Sequence, residues 1–174
     1  MAQSDTSAIT KITVRLKGLE DPDPLLREIA TSMLAIVKER IHEKGLNSAG
    51  SQIGTYSDSY LAYRSSVGKN TGSNVILSLT GQMENDFKIV AISKTRYGLG
   101  FSNKFNADKA DWLENGRKAS TVKDHTRNVN GKSVKVSSHQ RAGTEGYGDI
   151  YKLTTDEKDL VKEIIDEYIA KTFK

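Results

Sequence analysis

Between Pro24 and Lys44 the apolar residues Leu25, Ile29, Met33, Ile36, Val37 and Ile41 return at helical spacing. Such a stripe holds together only when something covers it, so this segment commits the chain to one long helix lying on a core. Asp23 is expected to cap the helix with Pro24 at its first position, where a missing N–H costs nothing. Gly45 is expected to stop it. A matching element closes the chain. Thr154 and Glu157 have the spacing of a capping box. After them Leu160, Val161, Ile164, Ile165, Tyr168 and Ile169 fall on one helical face.

The helices need a sheet to pack on. Residues 9–17 alternate, with Ile12, Val14 and Leu16 on one side and Lys11, Thr13, Arg15 and Lys17 on the other. That is the pattern of a half-buried strand. Residues 86–93 and 96–102 read as an antiparallel hairpin. Its inward face is either Phe87, Ile89 and Ala91 or Val90 and Ile92. Gly98 and Gly100 suggest that another backbone or a helix comes close there. Between the first helix and this hairpin lie two Gly- and Ser-rich loops, 45–59 and 69–74. They flank a short helix or turn with Tyr60, Tyr63 and Arg64. Thr80 is a candidate cap for a helical turn before the hairpin. Residues 106–116 read as a short helix ended by Asn115-Gly116. The expected class is α+β: an antiparallel sheet packed against a long N-terminal and a C-terminal helix.

Residues 117–147 are different. Apolar side chains are scarce, and Asn130-Gly131 stands between two alternating segments, a strong two-residue hairpin signal. We expect an extended basic β-hairpin arm, inserted in a single domain spanning 1–174, with 1–8 a short mobile tail. A chain of 174 residues suffices for one core and is too short for two comfortable ones. The formal charge of +4 is unevenly spread. Residues 1–93 are neutral, 94–141 hold 11 basic and 4 acidic residues, and 142–174 hold 5 basic and 8 acidic. The basic segment suits a nucleic-acid footprint, head-to-tail complementarity between copies of the chain, or a solvated face.

Cysteine is absent, which removes disulfides and thiolate metal sites. No apolar run is long enough to cross a membrane, and the first residues lack the basic start and apolar stretch of a signal peptide. A protein made and used inside a cell fits, as does a particle assembled there. Catalytic groups do not converge. His42 with Glu39 makes a poor metal pair and reads as solvated helix charge, with Glu43 beside it. His125 and His139 straddle the arm hairpin and lack further ligands. Asp108, Asp111 and Glu114 share one side of a helix whose Trp112 and Leu113 are expected to point inward. The 143–149 stretch resembles a phosphate loop only in its glycines. No catalytic residue, cofactor or metal is expected. Along the arm, Arg117, Lys118, Lys123, Arg127, Lys132, Lys135 and Arg141 are candidate partner-binding residues, without the interleaved aromatics of a single-strand binder.

Five short motifs stand in order. They are Tyr56-Ser57 with Arg64 downstream, Leu79-Thr80-Gly81-Gln82-Met83, Gly100-Phe101, Glu114-Asn115-Gly116, and Leu153-Thr154-Thr155-Asp156-Glu157. Their order resembles that in the neck and tail-completion (virion morphogenesis) proteins of tailed bacteriophages. The resemblance covers residues 25–170. It implies a non-enzymatic, ring-forming structural subunit of the virion, assembled in the host bacterial cytoplasm and completing the head–tail junction. Its implied partners are further copies of itself, connector or stopper proteins, and the tail tube or terminator. The residues implied to build the scaffold are Tyr56, Ser57, Arg64, Leu79, Thr80, Gly81, Met83, Glu114 and Gly116. Many members continue from Glu-x-Gly through a Pro-x-Arg-Pro segment, and this chain has the basic arm instead. Two alternatives stand beside this reading: a tail-terminator or connector ring of another neck family, and a nucleic-acid-binding accessory protein that uses the arm.

Overall fold

Apolar residues at helical spacing build α1 (Asp23–Lys38), and the side chains of Leu25, Ile29, Met33 and Val37 are fully buried. The computed structural model describes residues 8–12, 19, 21–69 and 72–173. Asp23 is not the cap of α1. Pro22 holds that position and Asp23 is the first helical residue, with its own N–H donated to the Asp21 carboxylate at 3.1 Å. The helix also does not run regularly to Lys44. It widens into a π-helical turn, Glu39–Glu43. That turn accompanies three consecutive buried side chains, Arg40, Ile41 and His42, which a regular helix lying on a surface does not bury together. Gly45, at φ +66°, ends the run.

The sheet has order β1 (Ala8–Ile12), β3 (Arg96–Phe101), β2 (Phe87–Ser93), antiparallel throughout. Of the expected strand at 9–17, residues 9–12 belong to β1, while Thr13, Val14, Arg15, Leu16 and Lys17 lie outside the described residues, as does the expected tail apart from Ala8. Between β2 and β3 the register pairs Phe87 with Phe101, Ile89 with Leu99 and Ala91 with Tyr97. Directly paired residues share a face, so this settles the inward side: Phe87 is buried and Ile92 is 41% exposed. Gly98 and Gly100 are paired within the sheet to β1 on one side and to β2 on the other.

Both terminal helices serve one core. Phe87, Phe101 and Tyr151 meet at its centre with ring centroids 5.2 to 5.5 Å apart. Leu160, Val161, Ile164, Ile165 and Tyr168 of α5 (Thr155–Thr172) pack against it but stay half-buried. The capping box at Thr154 and Glu157 is formed in full. Two further helices are α2 (Asp58–Ser66) and α4 (Lys104–Asn115), the second lying against β3, and the short α3 (Gln82–Asp86) leads into β2. Asn103 caps α4 by accepting the Phe105 N–H.

The arm is a two-tier ribbon. At its base β4 (Ser120–Val122) pairs with β7 (His139–Arg141), and beyond them β5 (His125–Val129) pairs with β6 (Lys132–Val136). The tip is the expected Asn-Gly turn, with φ of 51° at Asn130 and 79° at Gly131. The α+β layout anticipated from the sequence is the observed one.

Candidate functional site

Segments remote in sequence meet around one groove of about 420 Å³. Tyr56 and Tyr60 line it from one side, Leu79, Thr80, Gly81 and Met83 from another, and Leu113 and Tyr147 close it. Arg64 holds the two sides together. It is the most buried charged side chain here at 1% exposure, and its Nη2 donates to the Ser78 carbonyl at 3.0 Å. Its guanidinium also lies 4.7 Å from the Tyr56 ring centre. The Tyr56 hydroxyl donates to the Ile76 carbonyl and accepts the Ile76 N–H at 3.1 Å. Burial pushes the Tyr56 hydroxyl above the usual phenol range.

The other scaffold residues have distinct places. Ser57 sits at the N-cap of α2 without a capping hydrogen bond and touches Ser59 at 3.2 Å. Thr80 is not the cap of α3. Gly81 is, at φ 74°, a conformation that disfavours a Cβ, and Thr80 only accepts the Gln82 N–H at 3.4 Å. Glu114 projects from the end of α4 and accepts the N–H groups of both Ile150 and Tyr151 at 2.9 Å. One carboxylate oxygen thereby ties the short helix to the segment entering α5. Gly116, at φ 78°, lets the chain leave α4 against the returning 144–146 strand of backbone, and a Cβ there would stand 2.2 Å from the Thr144 carbonyl oxygen.

The candidate partner-binding cations do not form one patch. Arg117 is half-buried at the root of the arm, 6.0 Å from the Trp112 ring centre, and its backbone bridges Thr144. Lys118, Lys123, Arg127, Lys132, Lys135 and Arg141 are exposed, and none has an ion pair among the described residues. The pairing of Arg127 with Val134 and of Thr126 with Lys135 sends Arg127 and Lys135 to opposite faces of the ribbon. Arg127 and Lys132 share their face with Val129, Val134, Val136 and His125.

Two expectations are corrected. His42 is not a solvated helix charge: it is 4% exposed, with Nδ1 2.9 Å from the Leu77 carbonyl oxygen. Burial pushes its pKa below the usual histidine value of 6.5. Trp112 does not point inward and is 39% exposed, whereas Leu113 is half-buried. His125 and His139 are both exposed, and each turns its Nδ1 to a backbone carbonyl two residues earlier, that of Lys123 and of Ser137. Asp108 pairs with Lys104 and Asp111 accepts from Asn115, so the carboxylates of α4 are separately occupied. Among the described residues no group of three or more His, Asp or Glu side chains is placed to hold a metal, and no helix is long and apolar enough to cross a membrane.

Sequence reasoning missed Arg40. Its side chain leaves the π-helical turn to meet Glu157 at 2.7 Å and donates to the carbonyls of Leu46, Ile150 and Lys152. The available signal was its place three residues after Val37, on the apolar side of the helix. The chain matches no protein-family model, and comparison with curated proteins and with solved structures finds no match.

Proposed function

We propose that this chain is a structural subunit of a tailed-phage neck, a ring-forming protein that completes the head–tail junction. The observation that carries this reading is the convergence of the motif residues. Tyr56, Arg64, Leu79, Gly81 and Met83 line one groove, and Glu114 and Gly116 lock the adjoining α4 to the segment before α5. The residues that carry the resemblance thus hold elements together rather than present reactive groups to solvent. A ring is built from heterologous contacts, in which two different surfaces of one chain meet. The basic arm and the acidic C-terminal helix supply two such surfaces of opposite charge, with complementary charge setting register. The partners of this role are further copies of the chain, a connector or stopper, and the tail tube or terminator; a tail-terminator or connector ring of another neck family is the nearest variant.

Electron microscopy of the purified chain, alone and with phage necks, tests the proposal. A symmetric ring at the head–tail junction is the expected result. A chain that is absent from necks overturns it.

The exposed cations of the arm favour one other reading, nucleic-acid binding. It predicts an affinity for duplex DNA that falls steeply with salt and is lost in Lys132→Glu/Lys135→Glu. If that double variant stops DNA binding and leaves particle assembly intact, the arm's role is nucleic-acid binding and the structural reading of it falls.

A further inference from the structure

Among the described residues, the hairpin formed by β5 and β6 carries three valines on one face, two of them exposed. All residues of the two strands are exposed except Val136, which is half-buried. Val129 and Val134 are 39% and 40% exposed, and they share their face with Val136, with His125 and with the cations Arg127 and Lys132. An isolated two-stranded hairpin is marginal in water, so its valine face gains stability from a partner. The other face carries Thr126, Asn128, Ser133 and Lys135 and is wholly polar.

A surface of matching character lies elsewhere on the chain. Along α5, Leu160, Val161, Ile164, Ile165 and Tyr168 touch the core yet keep part of their surface in solvent, and Ile169 is also half-buried. Asp156, Glu163 and Asp166 on the same helix take part in no ion pair among the described residues. The arm holds seven basic and two acidic residues over 117–147, net +5, and α5 holds three basic and six acidic, net −3. Lengths agree as well. Four steps of strand from His125 to Val129 span about 13 Å. Nine steps of helix from Leu160 to Ile169 span about 13.5 Å.

We infer that the valine face of the β5–β6 arm docks along the half-open apolar stripe of α5 in a second copy of this chain, with Arg127 and Lys132 set against its acidic residues. The inference rests on the ring-subunit reading and identifies the two surfaces that would make its contact. The two surfaces differ, so the contact is heterologous, and it repeats from copy to copy until a ring closes.

The absence of cysteine provides the test. Val134→Cys and Ile165→Cys are made separately, checked for an unchanged thermal midpoint, mixed, and oxidised. The expected product is a disulfide-linked Val134→Cys/Ile165→Cys dimer, at a yield at least roughly fivefold above either variant alone. Adding Arg127→Glu/Lys132→Glu to the arm variant is expected to cut that yield by about fivefold. A yield no higher than the controls overturns the inference, as does preferential linkage of Val134→Cys to itself, which would mean arm-to-arm contact. Protection of the arm by added duplex DNA with no cross-link overturns it in favour of the nucleic-acid reading. Light scattering of the unmodified chain keeps the two proposals apart. Oligomers without the cross-link sink this docking mode and leave the ring standing, while ring-free necks in the microscope sink the ring itself.

Discussion

Arg40 and Glu157, 117 positions apart in the chain, meet at 2.7 Å with side chains 7% and 5% exposed. The guanidinium also donates to the carbonyls of Ile150 and Lys152 at 2.9 Å each and of Leu46 at 3.2 Å. Glu157 in turn accepts the Thr154 N–H at 2.8 Å as part of the capping box. One ion pair therefore joins the end of the first helix, the segment that enters the last helix, and that helix's own start.

Removing one member leaves the other buried without its charge partner. Arg40→Ala is expected to cost about 3–5 kcal/mol. Thr154→Ala, which removes only the cap, is expected to cost about 1 kcal/mol. Urea denaturation of the two variants measures both. Equal losses would mean that the ion pair adds nothing to the cap.

His42 gives the fold a pH dependence of known sign. Burial lowers its folded-state pKa below the 6.5 of the exposed side chain, so the folded chain holds it neutral where the unfolded chain begins to bind a proton. Stability therefore falls as pH drops through the unfolded value, and the loss is complete below the folded one. Unfolding free energy followed between about pH 8 and pH 5 should decline in the parent and decline less in His42→Gln. Parallel curves would remove His42 as the source.

Glu114 satisfies two backbone donors with one oxygen. Glu114→Ala strands the N–H groups of Ile150 and Tyr151, for an expected cost of about 2–5 kcal/mol. Glu114→Gln keeps an acceptor in place and should lose about 1.5 kcal/mol or less. Chemical denaturation distinguishes the two, and a Gln variant as weak as the Ala variant would assign the role to charge rather than to acceptance.

Gly116 stands where the backbone is left-handed and another backbone is close. A Cβ would lie 2.2 Å from the Thr144 carbonyl oxygen and 2.9 Å from the Glu145 carbonyl carbon, neither of which is a flexible side chain. Gly116→Ala is expected to cost about 3 kcal/mol or more. A thermal midpoint within a degree or two of the parent would contradict this.

The arm contributes little to the core. Among the described residues its outer strands pair with each other alone, and its base is closed by the Arg117–Thr144 bridge. Replacing 120–141 with a short Gly-Ser link is expected to leave the thermal midpoint within about 2 °C. The same deletion is expected to abolish self-association. A truncated chain that still forms rings would place the contact elsewhere.

Helical spacing from Leu25 to Ile41, alternation from Phe87 to Phe101, the Asn130-Gly131 turn and the capping box at Thr154 were all legible from the residues, because each is a local preference of the backbone or a repeat along it. The α+β class follows from that order of elements. Local repeats state which side chains share a face. They do not state which faces meet, and here that difference decided the groups that matter most. Trp112 and Leu113 are adjacent, yet only packing left the first exposed. Arg40 and His42 look like surface charge on a helix until the π-helical turn carries them to carbonyls and a carboxylate supplied by residues 46, 77, 150, 152 and 157. Local preference was enough for the main helices, the hairpins and the basic arm, whereas packing set which polar groups are buried, because a buried charge is tolerated solely where distant backbone and side-chain partners arrive together.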